Sequence, residues 1–154
     1  MLPRGDLLRA GAALSGLAGL IHVLNVEEHL QEWWGYGLFF LLASMAQFYF
    51  ALVLWLVARA PDADDRAVPQ ADEGFFLWSL PRRTWFQLGV AGNVAIIALY
   101  AITRTVGIPF AGPAAGDVEP VTLLSLLSKV CEAGVVACCA LLLRPAGARA
   151  AAKG

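Results

Sequence analysis

Four apolar stretches of about twenty residues, each long enough to cross a hydrocarbon core of about 30 Å as a helix, run through this sequence at residues 7–26, 37–58, 84–106 and 121–143. A 154-residue chain with that pattern is expected to fold as an all-α, integral-membrane four-helix bundle. A soluble domain of this size has no use for so much apolar surface. The composition agrees, with 59% hydrophobic and 15% charged residues and a mean hydropathy of +0.67. Residues 1–144 then form one domain, and residues 145–154 a short Ala-rich tail. The basic start of the chain imitates a signal peptide. Its apolar run ends in His22, Asn25, Glu27 and Glu28 instead of a small-residue cleavage site, and so reads as a retained first span.

Orientation follows from where the cations fall. Arg4, Arg9, Arg59, Arg66, Arg82, Arg83, Arg144, Arg149 and Lys153 share one side, while Arg104 alone flanks a span on the other. Both termini and the long loop of residues 61–81 are therefore expected to be cytoplasmic, in a plasma (inner) membrane. The opposite side holds short loops with Glu27, Glu28, His29, Glu32, Asp117 and Glu119. Trp33, Trp34 and Tyr36 suit an interfacial belt there. Phe75-Phe76-Leu77-Trp78, in the long loop, suits a short piece lying on the membrane surface. A net charge of −1 gives no basis for binding nucleic acid. Cys131, Cys138 and Cys139 all lie inside one apolar span, where they read as packing residues and not as a disulfide framework.

Polar residues inside apolar spans carry what chemistry the sequence offers, because an ionisable group in a bilayer is costly and needs a partner. Lys129 and Glu132 stand well inside the fourth span at i,i+3, a spacing that permits mutual pairing. Thr122, Ser125 and Ser128 extend a polar stripe above them. Gln47 and Asn93 are mid-span amides of the kind that hold helices together or line a narrow polar path. Gly11, Ser15 and Gly19 form a small-residue row suited to close helix approach. His22, Asn25 and His29 share a face if the first helix continues past Val26. With Glu28 and Glu119 the two histidines form a candidate ligand set for a divalent transition metal, the one cofactor the sequence suggests. Arg104 is placed to latch the Gly- and Pro-rich loop to a carboxylate, or to hold an anion.

The run Arg104-Thr105-Val106-Gly107-Ile108-Pro109, with Gly112-Pro113, Gly116 and Glu119-Pro120, resembles a loop of small uncharacterised four-span membrane proteins of GC-rich bacteria. The connector from Glu28-His29 to Trp34 resembles theirs more loosely. That resemblance implies the four-span fold and assigns no activity or site residue. No serine or cysteine has an activating motif, so the sequence leans away from an enzyme. It leads to a membrane protein that binds a small polar species, such as a metal cation, at its outer side. Alternatives are an accessory subunit packed against a membrane-protein partner or a second copy, and a minimal transporter or proton path through Gln47, Asn93, Lys129 and Glu132.

Overall fold

A computed structural model describes residues 2–59, 80–108 and 112–144. Those residues form four α-helices and no strand: α1 (Arg4–Glu32), α2 (Trp34–Ala58), α3 (Arg82–Thr105) and α4 (Leu123–Leu143). Each is long and apolar enough to cross a membrane. The surface piece expected at Phe75–Trp78 and the tail at 145–154 lie outside the described residues.

The helix ends follow local chemistry. Pro3 and Pro81 precede α1 and α3, where a missing N–H costs nothing and a fixed φ suits a helix start. Thr122 begins α4 with a reciprocal capping box, its hydroxyl accepting from the Ser125 N–H while the Ser125 hydroxyl accepts from the Thr122 N–H. Arg144 ends α4 in an extended conformation, as the residue before Pro145 must.

The connector expected between residues 27 and 36 is almost absent. Helix α1 continues through Glu27, Glu28 and Glu32 for 29 residues, and Trp33 alone, at φ −167° and ψ 135°, separates it from α2. Leu, Glu and Gln are good helix formers, so nothing in residues 27–32 stops the turn. Two glycines make so tight a reversal possible. A Cβ on Gly35 would sit 2.1 Å from the folded-back Trp33 ring, and one on Gly37 would sit 2.8 Å from the Leu30 backbone.

Helix α1 is the hub, packed antiparallel against both α2 and α4, and α3 closes the bundle against α4 and touches α2. Its small-residue row meets α2: a Cβ on Gly11 would lie 3.0 Å from Leu54, and one on Gly19 3.2 Å from Gln47 and Phe48. The outer faces are also apolar, with Leu24, Leu42, Met45, Leu123 and Val130 among the exposed side chains. Arg4, Arg9, Arg59, Arg82, Arg83 and Arg144 gather at one end of the bundle, which we call the basic end. Glu27, Glu28, Glu32, Asp117 and Glu119 gather at the other, the acidic end.

Candidate functional site

Apart from Arg82, buried at the basic end, the buried polar side chains lie at mid-bundle or nearer the acidic end, and the main apolar cluster lies nearer the basic end. Leu7 and Leu8 of α1, Val53 and Val57 of α2, Phe86 of α3, and Val135 and Leu142 of α4 fill the half nearer the basic end. The half nearer the acidic end holds an ordered set of polar side chains. The set starts at the acidic end with Arg104, which pairs with Glu119 while its guanidinium lies 4.9 Å from the Tyr100 ring centre. On the same ring, 5.4 Å from its centre, is the Lys129 ammonium, and the Tyr100 hydroxyl is 3.2 Å from the Ser125 hydroxyl.

Deeper still, Lys129 Nζ lies 2.7 Å from Oε1 and 2.6 Å from Oε2 of Glu132. Glu132 follows the first residue of α4 by nine positions, about 13.5 Å of helix rise. Its side chain is fully enclosed, and Oε1 also accepts from the Ser128 hydroxyl at 2.9 Å and from His22 Nε2 at 3.0 Å. One carboxylate thus gathers three donors from two helices. The arrangement balances a buried negative charge with a positive one and leaves the pair neutral.

Those bonds also fix the ring orientation. In the neutral tautomer that donates Nε2–H to the carboxylate, Nδ1 of His22 is the lone-pair nitrogen. His22 Nδ1 is buried and has no hydrogen-bond partner among the described residues. His29 is oriented in the same manner seven residues, about two helical turns, further out. Its Nδ1 lies 2.8 Å from the Asn25 carbonyl, which can only accept, so Nε2 is the open nitrogen. Both rings pack on Phe40, at 5.7 and 4.1 Å between ring centres.

A third polar level lies further towards the basic end. The Ser15 hydroxyl lies 2.6 Å from the Gln47 carbonyl oxygen of the side chain and 2.8 Å from that of the backbone, and the Gln47 amide donates to Asn93 Oδ1 at 2.9 Å. Asn93 in turn donates to the Gly89 carbonyl at 2.8 Å. Ser15, Gln47 and Asn93 are all buried and tie α1, α2 and α3 together. Cys131, Cys138 and Cys139 are buried free thiols.

The four residues expected to share a metal are distributed over separate environments. His22 is buried against Glu132, His29 sits over Phe40, Glu28 is exposed, and Glu119 is taken by Arg104. Among the described residues no group of three or more His, Cys, Asp or Glu side chains is arranged to hold a metal ion. Sequence spacing grouped His22 with His29 on one helix and gave no sign of Glu132, which lies 110 positions away on α4.

The segment between α3 and α4 covers the acidic end. Gly107, Gly112 and Gly116 take φ values of 69°, 78° and 87°, which turn the chain back on itself. A Cβ on Gly112 would lie 2.5 Å from the Tyr36 hydroxyl, so this segment rests directly on the start of α2. The Glu119 N–H donates to the Thr103 carbonyl at 3.1 Å, beside the Arg104–Glu119 pair. Glu119 is partly solvated, so this pair contributes about 1 kcal/mol or less to stability. Arg104→Ala is expected to leave the melting temperature nearly unchanged but to raise amide hydrogen exchange across residues 112–119. Unchanged protection there would show that the backbone bonds alone hold the cover. Compared with known proteins, the chain matches no family model, no curated protein and no solved structure.

Proposed function

We propose that this chain is a multi-pass protein of a bacterial inner membrane, with both termini cytoplasmic, that binds a small polar species entering from the extracytoplasmic side. The observation that carries the reading is the division of the bundle interior. Polar groups descend from Arg104 past Glu132 to Ser15, Gln47 and Asn93 at mid-bundle, and beyond them Val53, Val57, Phe86 and Val135 form an apolar layer before the buried Arg82 at the basic end. Such an interior favours a site reached from one side over a path that runs through. The clustering of arginines at the opposite end supports the cytoplasmic placement of the termini.

A divalent transition metal is the first candidate species. His22 Nε2–H bonded to Glu132, with Nδ1 open, is the arrangement in which a carboxylate orients a metal-ligating histidine. His29 is oriented comparably by the Asn25 carbonyl. Glu28 and Glu119 are the carboxylates at the same end, and Glu119 would exchange Arg104 for the ion.

Metal-stripped protein in detergent tests this reading with first-row divalent cations. At a hundredfold excess over Kd, binding is expected to stabilise the fold by about 2.7 kcal/mol. Elemental analysis should find stoichiometric metal, lost in the His22→Ala, His29→Ala variant. Absence of retained metal together with no thermal shift from any first-row cation would remove the metal from the proposal. A thermal screen of small neutral donors, compared between wild type and His22→Phe, then tests the site itself.

An accessory role is supported by a different feature. Only 17% of the most apolar window of α3 is buried inside the bundle, against 44% for α1. A stable larger complex on gentle extraction would favour that role. A protein that purifies alone would count against it.

A further inference from the structure

A groove of about 460 Å³ runs between α1 and α2 at the acidic end, on the outside of the bundle and away from the His22–Glu132 centre. Its floor is apolar, formed by Val23, Val26 and Leu30 of α1 and Leu41 of α2. Glu27 and Gln31, one helical turn apart, form its rim. Both rim side chains are exposed, and neither has a hydrogen-bond partner among the described residues. The groove thus has an apolar wall below and an exposed carboxylate with an exposed amide above. Trp33 and Trp34 follow directly, the residue types that settle at the headgroup level of a bilayer.

From this placement we infer that the groove holds a membrane phospholipid with a primary-ammonium headgroup, of the phosphatidylethanolamine type. The inference rests on the membrane placement proposed above. Charge complementarity selects the headgroup. Glu27, Glu28, Glu32, Asp117 and Glu119 make the acidic end strongly negative, and the guanidinium of Arg104, the single arginine at this end, is already engaged by Glu119. An anionic headgroup finds Glu27 at the groove rim, three further carboxylates unpaired among the described residues (Glu28, Glu32 and Asp117) at the same end and no available arginine. An ammonium headgroup finds the Glu27 carboxylate as acceptor, while the Gln31 amide can donate to its phosphate. A quaternary trimethylammonium headgroup keeps the charge but has no N–H to donate.

The test is native mass spectrometry of the detergent-purified full chain after equilibration with equimolar phosphatidylethanolamine, phosphatidylcholine and phosphatidylglycerol of matched acyl chains. The wild type is expected to retain phosphatidylethanolamine over phosphatidylglycerol by about fivefold, the upper range for one exposed charge pair, with phosphatidylcholine between them. Glu27→Gln, a surface change that leaves the bundle interior intact, is expected to equalise phosphatidylethanolamine and phosphatidylcholine, with phosphatidylglycerol still the least retained. Equal retention by the wild type, preference for phosphatidylglycerol, or a preference for phosphatidylethanolamine over phosphatidylcholine that survives Glu27→Gln would overturn the inference. Carbonate-washed membranes report separately on placement. Recovery of the chain in the soluble fraction would overturn the membrane reading, whatever the lipid result.

Discussion

Replacing Glu132 with Leu is expected to destabilise the bundle by about 3 to 5 kcal/mol, the usual cost of stranding a buried charge. Three donors converge on this enclosed carboxylate, from His22, Ser128 and Lys129, and the substitution orphans all of them at once. The charge accounts for most of the loss, so Lys129→Met added to Glu132→Leu should recover more than half of it. The remaining deficit would come from the His22 N–H and Ser128 hydroxyl, at about 1 to 3 kcal/mol for a buried unmet group. Glu132→Gln keeps an acceptor oxygen without the charge and should fall between the two. Equilibrium unfolding in mixed micelles gives all four values. A Glu132→Leu protein as stable as wild type would show that the network contributes nothing to folding.

Gly37→Val should also destabilise the bundle, through sterics alone. A Cβ at this position would lie 2.2 Å from Leu30 Cγ and 2.8 Å from Leu30 Cα, and the second of these is backbone inside α1. A rotamer change cannot relieve that contact, so the two helices must move apart at the acidic end, at a cost of about 1 to 3 kcal/mol for overpacking, or more. The displacement would loosen Trp33 and Trp34, and their fluorescence should shift in step with the stability loss. Gly92→Ala is the matched control. Nothing lies within 4 Å of its Cβ position, and exchanging Gly for Ala inside a helix gains about 0.5 to 1 kcal/mol. If both substitutions cost the same, close packing at Gly37 is not what fixes the α1–α2 reversal.

The four helices were legible because hydropathy is a local property, and each apolar stretch declares itself within its own twenty residues. The extent of α1 was not. Glu27, Glu28 and Glu32 have the composition of a connector, yet nothing in them opposes helical geometry, and the chain reverses at one tryptophan. The spacing of Lys129 and Glu132 puts them on one helical face, which a sequence displays directly. The pairing of His22 with Glu132 has no such local trace, because it depends on how α1 and α4 rotate against each other once packed. Periodicity along α1 draws attention to His29 instead, and the structure shows the two imidazoles oriented by separate partners, Glu132 and the Asn25 carbonyl.

The one-residue reversal at Trp33 means that α1 and α2 constitute one hairpin, while α3 and α4, joined through the segment from Val106 to Thr122, constitute a second. Ser15–Gln47 and Tyr100–Ser125 each lie within a hairpin. His22–Glu132 and Gln47–Asn93 each cross between hairpins. Among the described residues these two bonds cross the hairpins beside the Arg4–Phe86 and Tyr49–Trp85 ring contacts, in a largely apolar surface. Side chains such as Leu and Val tolerate many relative positions, whereas a misregistered hairpin would strand His22, Glu132, Gln47 and Asn93 together. Correct register of the two hairpins is thus rewarded by these bonds, and the candidate binding centre exists only when both halves are docked.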